Sequence, residues 1–184
     1  MHETNPWKIL AEKEVYDNPW ISLTEYDVIN PSGGKGIYGK VHFKNIAIGV
    51  LPIDEKGNIW LVGQYRFPVN LYSWELPEGG GPLEHEPLDS AKRELLEETG
   101  LKAGRWEKLL EMHLSNSVTD EKAIVYIARN LSQHNAEPEE TEDLRVQKLP
   151  FETVFQKVMA GEITDSITVA AILKWKVMEG LSIS

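Results

Sequence analysis

Three carboxylates, Glu94, Glu97 and Glu98, fall within five residues of the run Arg93-Glu94-Leu95-Leu96-Glu97-Glu98-Thr99-Gly100. On a helix, positions i, i+3 and i+4 share a face, so the three side chains are neighbours. Like charges at that spacing repel by a few tenths of a kcal/mol per pair. They also stand near a helix C-terminus, where the macrodipole disfavours negative charge. Two readings account for such a cluster: a solvated charged face relieved by Lys92 and Arg93, or a site for a hard divalent cation. A set of oxygen donors without His or Cys suits Mg²⁺ or Mn²⁺ rather than Zn²⁺. The preceding Glu78-Gly79-Gly80-Gly81 is too rich in glycine for a core element and reads as a loop that lets backbone approach a ligand closely.

The elements that must position this cluster follow from periodicity. Leu88, Ala91 and Leu95 recur on one face, which predicts a helix from about Pro87 to Thr99, stopped by Gly100. Before it, alternation in EVYDNPWISLTEYDVI and the turn signal PSGG predict an N-terminal hairpin-like segment, continued by GIYGKVHF. NIAIGVLPI and NIWLVGQYRF, separated by the turn cluster Asp54–Asn58, read as a buried hairpin. EKLLEMHL and KAIVYIARNL read as two further strands joined by SNSVTDE. SQHNAEPEETED is a polar acidic loop, LRVQKLP a short strand, and helices follow over about 151–159 and 166–178. The sum is one α/β domain with a mixed sheet and an N-terminal β extension.

The 184 residues allow one domain with a proper core. A content of 41% hydrophobic and 26% charged residues is that of a globular chain. The formal net charge of −10 argues against broad binding to nucleic acid or anionic membranes. Cysteine is absent, which excludes disulfides, thiolate metal sites and a Cys nucleophile. The first residues lack a signal-peptide pattern, and no apolar run approaches the roughly 18 residues of a membrane span. A cytoplasmic location is expected.

The stretch from Gly79 to Leu101 resembles a Nudix box: Gly, five residues, Glu, seven residues, then Arg-Glu-U-x-Glu-Glu-x-Gly-U, with U bulky and aliphatic. Residues 93–101 match every specified position of the second half. Counting back puts His85 where the pattern has its first Glu, flanked by Glu84 and Glu86. The likeness extends to QYR (64–66), WELPEGG (74–80) and GEITDSITVAAILKW (161–175), which resemble the ADP-ribose and nucleoside-diphosphate-sugar pyrophosphatase branch. The resemblance implies the Nudix fold, an α/β/α sandwich with a mixed β-sheet, over residues 45–184. Residues 1–44 would form an N-terminal β extension that builds a homodimer.

The resemblance also implies roles. Glu94 and Glu98 would be the main Mg²⁺ ligands, with Glu97 assisting and the backbone carbonyl of Glu78 as a further ligand. Glu142, in the acidic loop with Glu137, Glu139 and Glu140, would orient the attacking water. Arg66 would clamp phosphate through its guanidinium fork. Glu75 would accept from ribose hydroxyls, and Trp20 would stack on a base. Gly79, Arg93 and Gly100 would hold the box together. Primary metal binding would survive the change at His85, with any help from that position weakened or moved. The implied reaction is hydrolysis of the pyrophosphate of a nucleoside diphosphate sugar, of ADP-ribose or GDP-mannose type. Alternatives are a nucleotide-sugar-binding module without hydrolysis, or hydrolysis of another nucleoside diphosphate derivative; RNA decapping fits the acidic charge poorly.

Overall fold

The computed structural model describes residues 4–136 and 144–181. These form two compact units, one of residues 1–45 with 113–122, the other of 46–112 with 123–184.

In the first unit β1 (Lys8–Asp17), β2 (Ile21–Ile29) and β3 (Lys35–Phe43) make a three-stranded antiparallel sheet in that order. Asn30 turns β2 into β3: its side chain accepts from Ser32 and Gly34 N–H, and Gly33 adopts the left-handed conformation that closes the turn. The segment 113–122 completes this unit. Val41 bridges Thr119, the Tyr38 hydroxyl donates to Ser117 O, and His42 Nδ1 lies 2.8 Å from Asp120 Oδ2. Ile9, Leu10, Val15, Tyr16, Trp20 and Ile37 stand exposed on the unit.

The second unit holds the core. A four-stranded sheet has the order β7 (Glu78–Pro82), β4 (Asn45–Pro52), β9 (Lys122–Gln133), β8 (Leu101–His113), with β4 and β9 parallel. A three-stranded antiparallel sheet has the order β10 (Arg145–Pro150), β5 (Asn58–Arg66), β6 (Leu71–Glu75). Three helices follow the chain: α1 (Pro87–Thr99), α2 (Phe151–Met159) and α3 (Ser166–Leu181).

The continuous apolar text of β4 reflects burial on both faces. Ile46, Ile48 and Val50 pack with Ala91 and Leu95 of α1. On the other face Gly49 admits α3 so closely that an added Cβ would lie 2.6 Å from Ile167 Cγ2. The helices therefore sandwich the sheet. The glycine segment 78–82, expected as a loop, is strand β7. Its glycines leave room for α1, since a Cβ at Gly81 would meet Ser90 Oγ at 2.7 Å. Among the described residues no helix is long and apolar enough to cross a membrane.

Candidate active site

Helix α1 carries the acidic cluster, and its limits come from local chemistry. Pro87 opens the helix, where a missing N–H costs nothing. Gly100 closes it with φ 69°, its N–H donating to Leu96 O at 2.8 Å. A Cβ there would strike His134 O at 2.5 Å, so the cap also admits the end of β9.

The buried face of α1 contains Ala91 and Leu95, but also Glu94 and Glu98, which are 6% and 3% exposed. These two carboxylates are not a solvated face. They turn toward β7, and each meets its backbone. Glu98 Oε2 accepts the Glu78 N–H at 3.0 Å. Glu94 lies against Gly79, where a side chain would overlap its carboxylate. Arg93 ties the same elements from outside: its Nη2 donates to Gly80 O at 2.9 Å and to Glu94 Oε1 at 2.6 Å, and its Nη1 to Glu97 Oε2 at 2.7 Å. Partial burial works against the Arg93 charge, but Glu94 and Glu97 outweigh it and raise its pKa. Glu97 is more open than Glu94 and Glu98.

Behind this layer lies a second group. Arg66, at the end of β5, donates from Nε and Nη2 to both oxygens of Glu75, at 3.1, 3.0 and 2.6 Å. Its Nη2 also reaches Glu78 Oε1 at 2.7 Å. Burial would lower the Arg66 pKa, yet Glu75 and Glu78 raise it above the ordinary guanidinium value. Glu75 is 3% exposed and fully engaged by Arg66, which makes it an anchor for the guanidinium. Nη1 of Arg66 takes no part in these contacts.

Glu78 is a buried acid beside other carboxylates. Its Oε2 is buried without a hydrogen-bond partner. Burial first, then Asp165 and Glu75, push its pKa well above the usual carboxylate range, against the pull of Arg66. Oxygens of Glu75, Glu78 and Asp165 lie within 4.8 Å of one another. Asp165 was not a candidate from sequence reasoning. The text TDSIT carries a helix-cap signal there, but nothing local says that the cap stands beside residues 75–78.

Of the other expected site residues, Trp20 lies in the first unit, exposed in the turn between β1 and β2, its N–H donating to Asn18 Oδ1 at 2.8 Å. His85 is exposed in the turn before α1, with its N–H on Pro82 O at 3.1 Å. Glu142, with Glu137, Glu139 and Glu140, lies outside the described residues.

The donor set fits a hard divalent cation. Glu94 and Glu98 are paired on one buried helix face, Glu97 stands beside them, all donors are oxygens, and β7 brings backbone alongside.

A mixed sheet sandwiched by helices, with a glycine-rich strand and an acidic helix on its edge, defines a Nudix-type hydrolase site. The NUDIX domain model matches residues 43–167, and the model of the nucleoside diphosphate sugar hydrolase N-terminal domain matches residues 7–41. The chain belongs to the Nudix family. It is 35% identical over 172 residues to an ADP-ribose pyrophosphatase of Mycobacterium tuberculosis, covering 91% of this chain and 82% of that protein. It is 30% identical to an ADP-ribose pyrophosphatase of Bacillus subtilis, covering 95% of each. A GDP-mannose pyrophosphatase of Pectobacterium atrosepticum is 26% identical over 87% of this chain and 89% of its own. A solved crystal structure of an ADP compounds hydrolase shares the fold, with a TM-score of 0.84 at 20% identity over 99% of this chain and 97% of that one. The protein is accordingly a Nudix pyrophosphatase, a hydrolase of phosphoric anhydride bonds in a family that generally uses a divalent metal.

Proposed function

We propose that the protein hydrolyses the pyrophosphate of a nucleoside diphosphate sugar to a nucleoside monophosphate and a sugar phosphate, with ADP-ribose ahead of GDP-mannose. The observation that carries this reading is the burial of Glu94 and Glu98 side by side against the β7 backbone, in a box whose second half is intact. The names of the two ADP-ribose pyrophosphatases, matched over 91% and 95% of this chain, support ADP-ribose as the first substrate to test.

Glu94 and Glu98 would hold Mg²⁺, or Mn²⁺ in its place, with Glu97 and the Glu78 carbonyl completing the protein's share. Such a cation neutralises charge on pyrophosphate oxygens and lowers the pKa of water. The chain's own residues do the rest. Arg93 fixes the spacing of Glu94 and Glu97 and ties α1 to β7. Arg66, held by Glu75 and Glu78, keeps Nη1 for a phosphate oxygen; in this role Glu75 orients Arg66 rather than binding ribose. Glu142 remains our candidate for orienting the attacking water.

The N-terminal unit would pair two copies into a homodimer, with Trp20 of one stacking on a base bound by the other. Its exposed Ile9, Leu10, Val15, Tyr16 and Ile37 support an interface. The acidic charge and absence of cysteine are consistent with work in the cytoplasm. The test is a panel of ADP-ribose, GDP-mannose, dinucleotides and nucleoside triphosphates, each with and without Mg²⁺. Monophosphate release from ADP-ribose only with metal is expected, and no release from any compound would overturn the reading. Light scattering at micromolar concentration should report a dimer; a monomer would refute that part.

A further inference from the structure

The segment GEITDSITVAAILKW has no part in the mechanism above, yet its first half reaches the site. Asp165 caps α3: its backbone O accepts the Val169 N–H at 2.9 Å and its Oδ2 accepts the Thr168 N–H at 2.7 Å. The cap fixes the first turn and, with it, Thr168. Thr168 is fully buried. Valine would fill the same volume there without burying a hydroxyl, so the hydroxyl needs a reason.

The reason is Leu76. Thr168 Oγ1 accepts the Leu76 N–H at 2.8 Å, across 92 residues of chain. Leu76 is itself fully buried, and its amide would otherwise be orphaned. It sits in the link between β6 and β7, where every residue is committed. Glu75 holds Arg66, Pro77 O accepts the Val50 N–H at 2.8 Å, and Glu78 N–H binds Glu98 Oε2. The Thr168 bond ties this link to α3.

We propose that Asp165 and Thr168 are positioning residues: the capped first turn of α3 holds the Leu76 amide and so sets the 75–78 segment at its working distance from Glu98. The link's register along α1 decides where the Glu78 backbone meets the Glu98 carboxylate. The inference rests on the reading that Glu98 and the Glu78 backbone serve the cation, but it concerns residues outside the box.

The test uses the full chain as Thr168→Val, which keeps shape and removes the acceptor, and Thr168→Ser, which keeps the acceptor. Hydrogen exchange follows the Leu76 amide, and Mn²⁺ titration by electron paramagnetic resonance follows the metal site without substrate. Steady-state kinetics with ADP-ribose complete the set. In Thr168→Val, Leu76 exchange should quicken about tenfold, as for loss of one hydrogen bond. Half-saturating Mn²⁺ should rise about threefold or more, and kcat should fall about tenfold with KM nearly unchanged. Thr168→Ser should restore all three. Native Mn²⁺ binding and kcat in Thr168→Val would overturn the proposal, as would a serine variant no better than valine. Should the valine variant fail to fold, Asp165→Ala and Asp165→Asn, which removes the charge but keeps the cap acceptor, decide by the same readouts: a Mn²⁺ site weakened in the alanine variant and restored in the asparagine variant upholds the proposal, and any other pattern ends it. If the native chain cleaves no nucleotide sugar, the proposed function fails, while the exchange and Mn²⁺ measurements still decide this point.

Discussion

Alanine at Gly79 would put a methyl carbon 2.5 Å from Glu94 Oε2 and nearer still to Cδ and Oε1. The backbone there is not in the left-handed region, so the added atom alone is the perturbation. Normal contact requires about 1 Å more, and Glu94 has little room to yield, being buried and held by Arg93. Overpacking of this kind costs about 1–3 kcal/mol of stability. The effect on activity should be larger, because the group that moves is the proposed metal carboxylate: a misplacement near 1 Å costs about a hundredfold in rate. Gly81→Ala is the matched control. Its Cβ would lie 2.7 Å from Ser90 Oγ, 3.0 Å from Ser90 Cβ and 3.3 Å from Ile46 Cγ2, with no carboxylate among them. The two variants should therefore lose similar stability in urea, while Gly79→Ala alone loses kcat about a hundredfold and needs more Mg²⁺. Equal losses of activity in the two variants, or a native Mg²⁺ titration in Gly79→Ala, would refute the argument.

Arg66→Met leaves the buried carboxylates of Glu75 and Glu78 without their cation and should cost about 3 kcal/mol; adding Glu75→Leu should recover part of the stability but none of the activity, as read by urea midpoints and kcat. Burial alone would raise the Asp54 pKa, but Lys148, the Asn58 side chain, and the backbone N–H groups of Asn58 and Lys56 hold it well below the usual range. A depressed folded pKa stabilises the protein above the unfolded value of about 4 and loses that contribution as pH falls from there. Asp54→Asn should therefore cost about 1–2 kcal/mol at pH 7, with a gap that narrows in urea titrations near pH 3; a constant gap would exclude the linkage. His85→Glu places a carboxylate in an exposed turn, so Mg²⁺ half-saturation should move by less than about twofold; a large gain in affinity or rate would show that the altered box position matters.

The limits of α1 were legible because they are set by Pro87 and Gly100, residues whose backbone preferences act locally. The fate of its carboxylates was not. Glu94 and Glu98 have the same spacing on a solvated face as on a buried one, and only the arrival of β7 from the preceding chain distinguishes the two. That same strand was read as a loop because glycine has little intrinsic preference for strands. Its glycines are there for the neighbour, not for the turn. Asp165 and Thr168 were hidden for another reason: their partners lie about ninety residues upstream, so the cap was readable and its purpose was not. The glutamate expected to orient water, Glu142, falls outside the described residues.

The N-terminal unit also takes in residues 113–122, with Asp120 on His42 and Ser117 on Tyr38. It is thus assembled from two separate passes of the chain, although its family signature occupies a single stretch, residues 7–41. A chimera joined near residue 45 would give the unit a foreign sheet and its original hairpin tip. Exchanging such units between relatives therefore calls for a double crossover, with the tip inherited alongside the strands it serves.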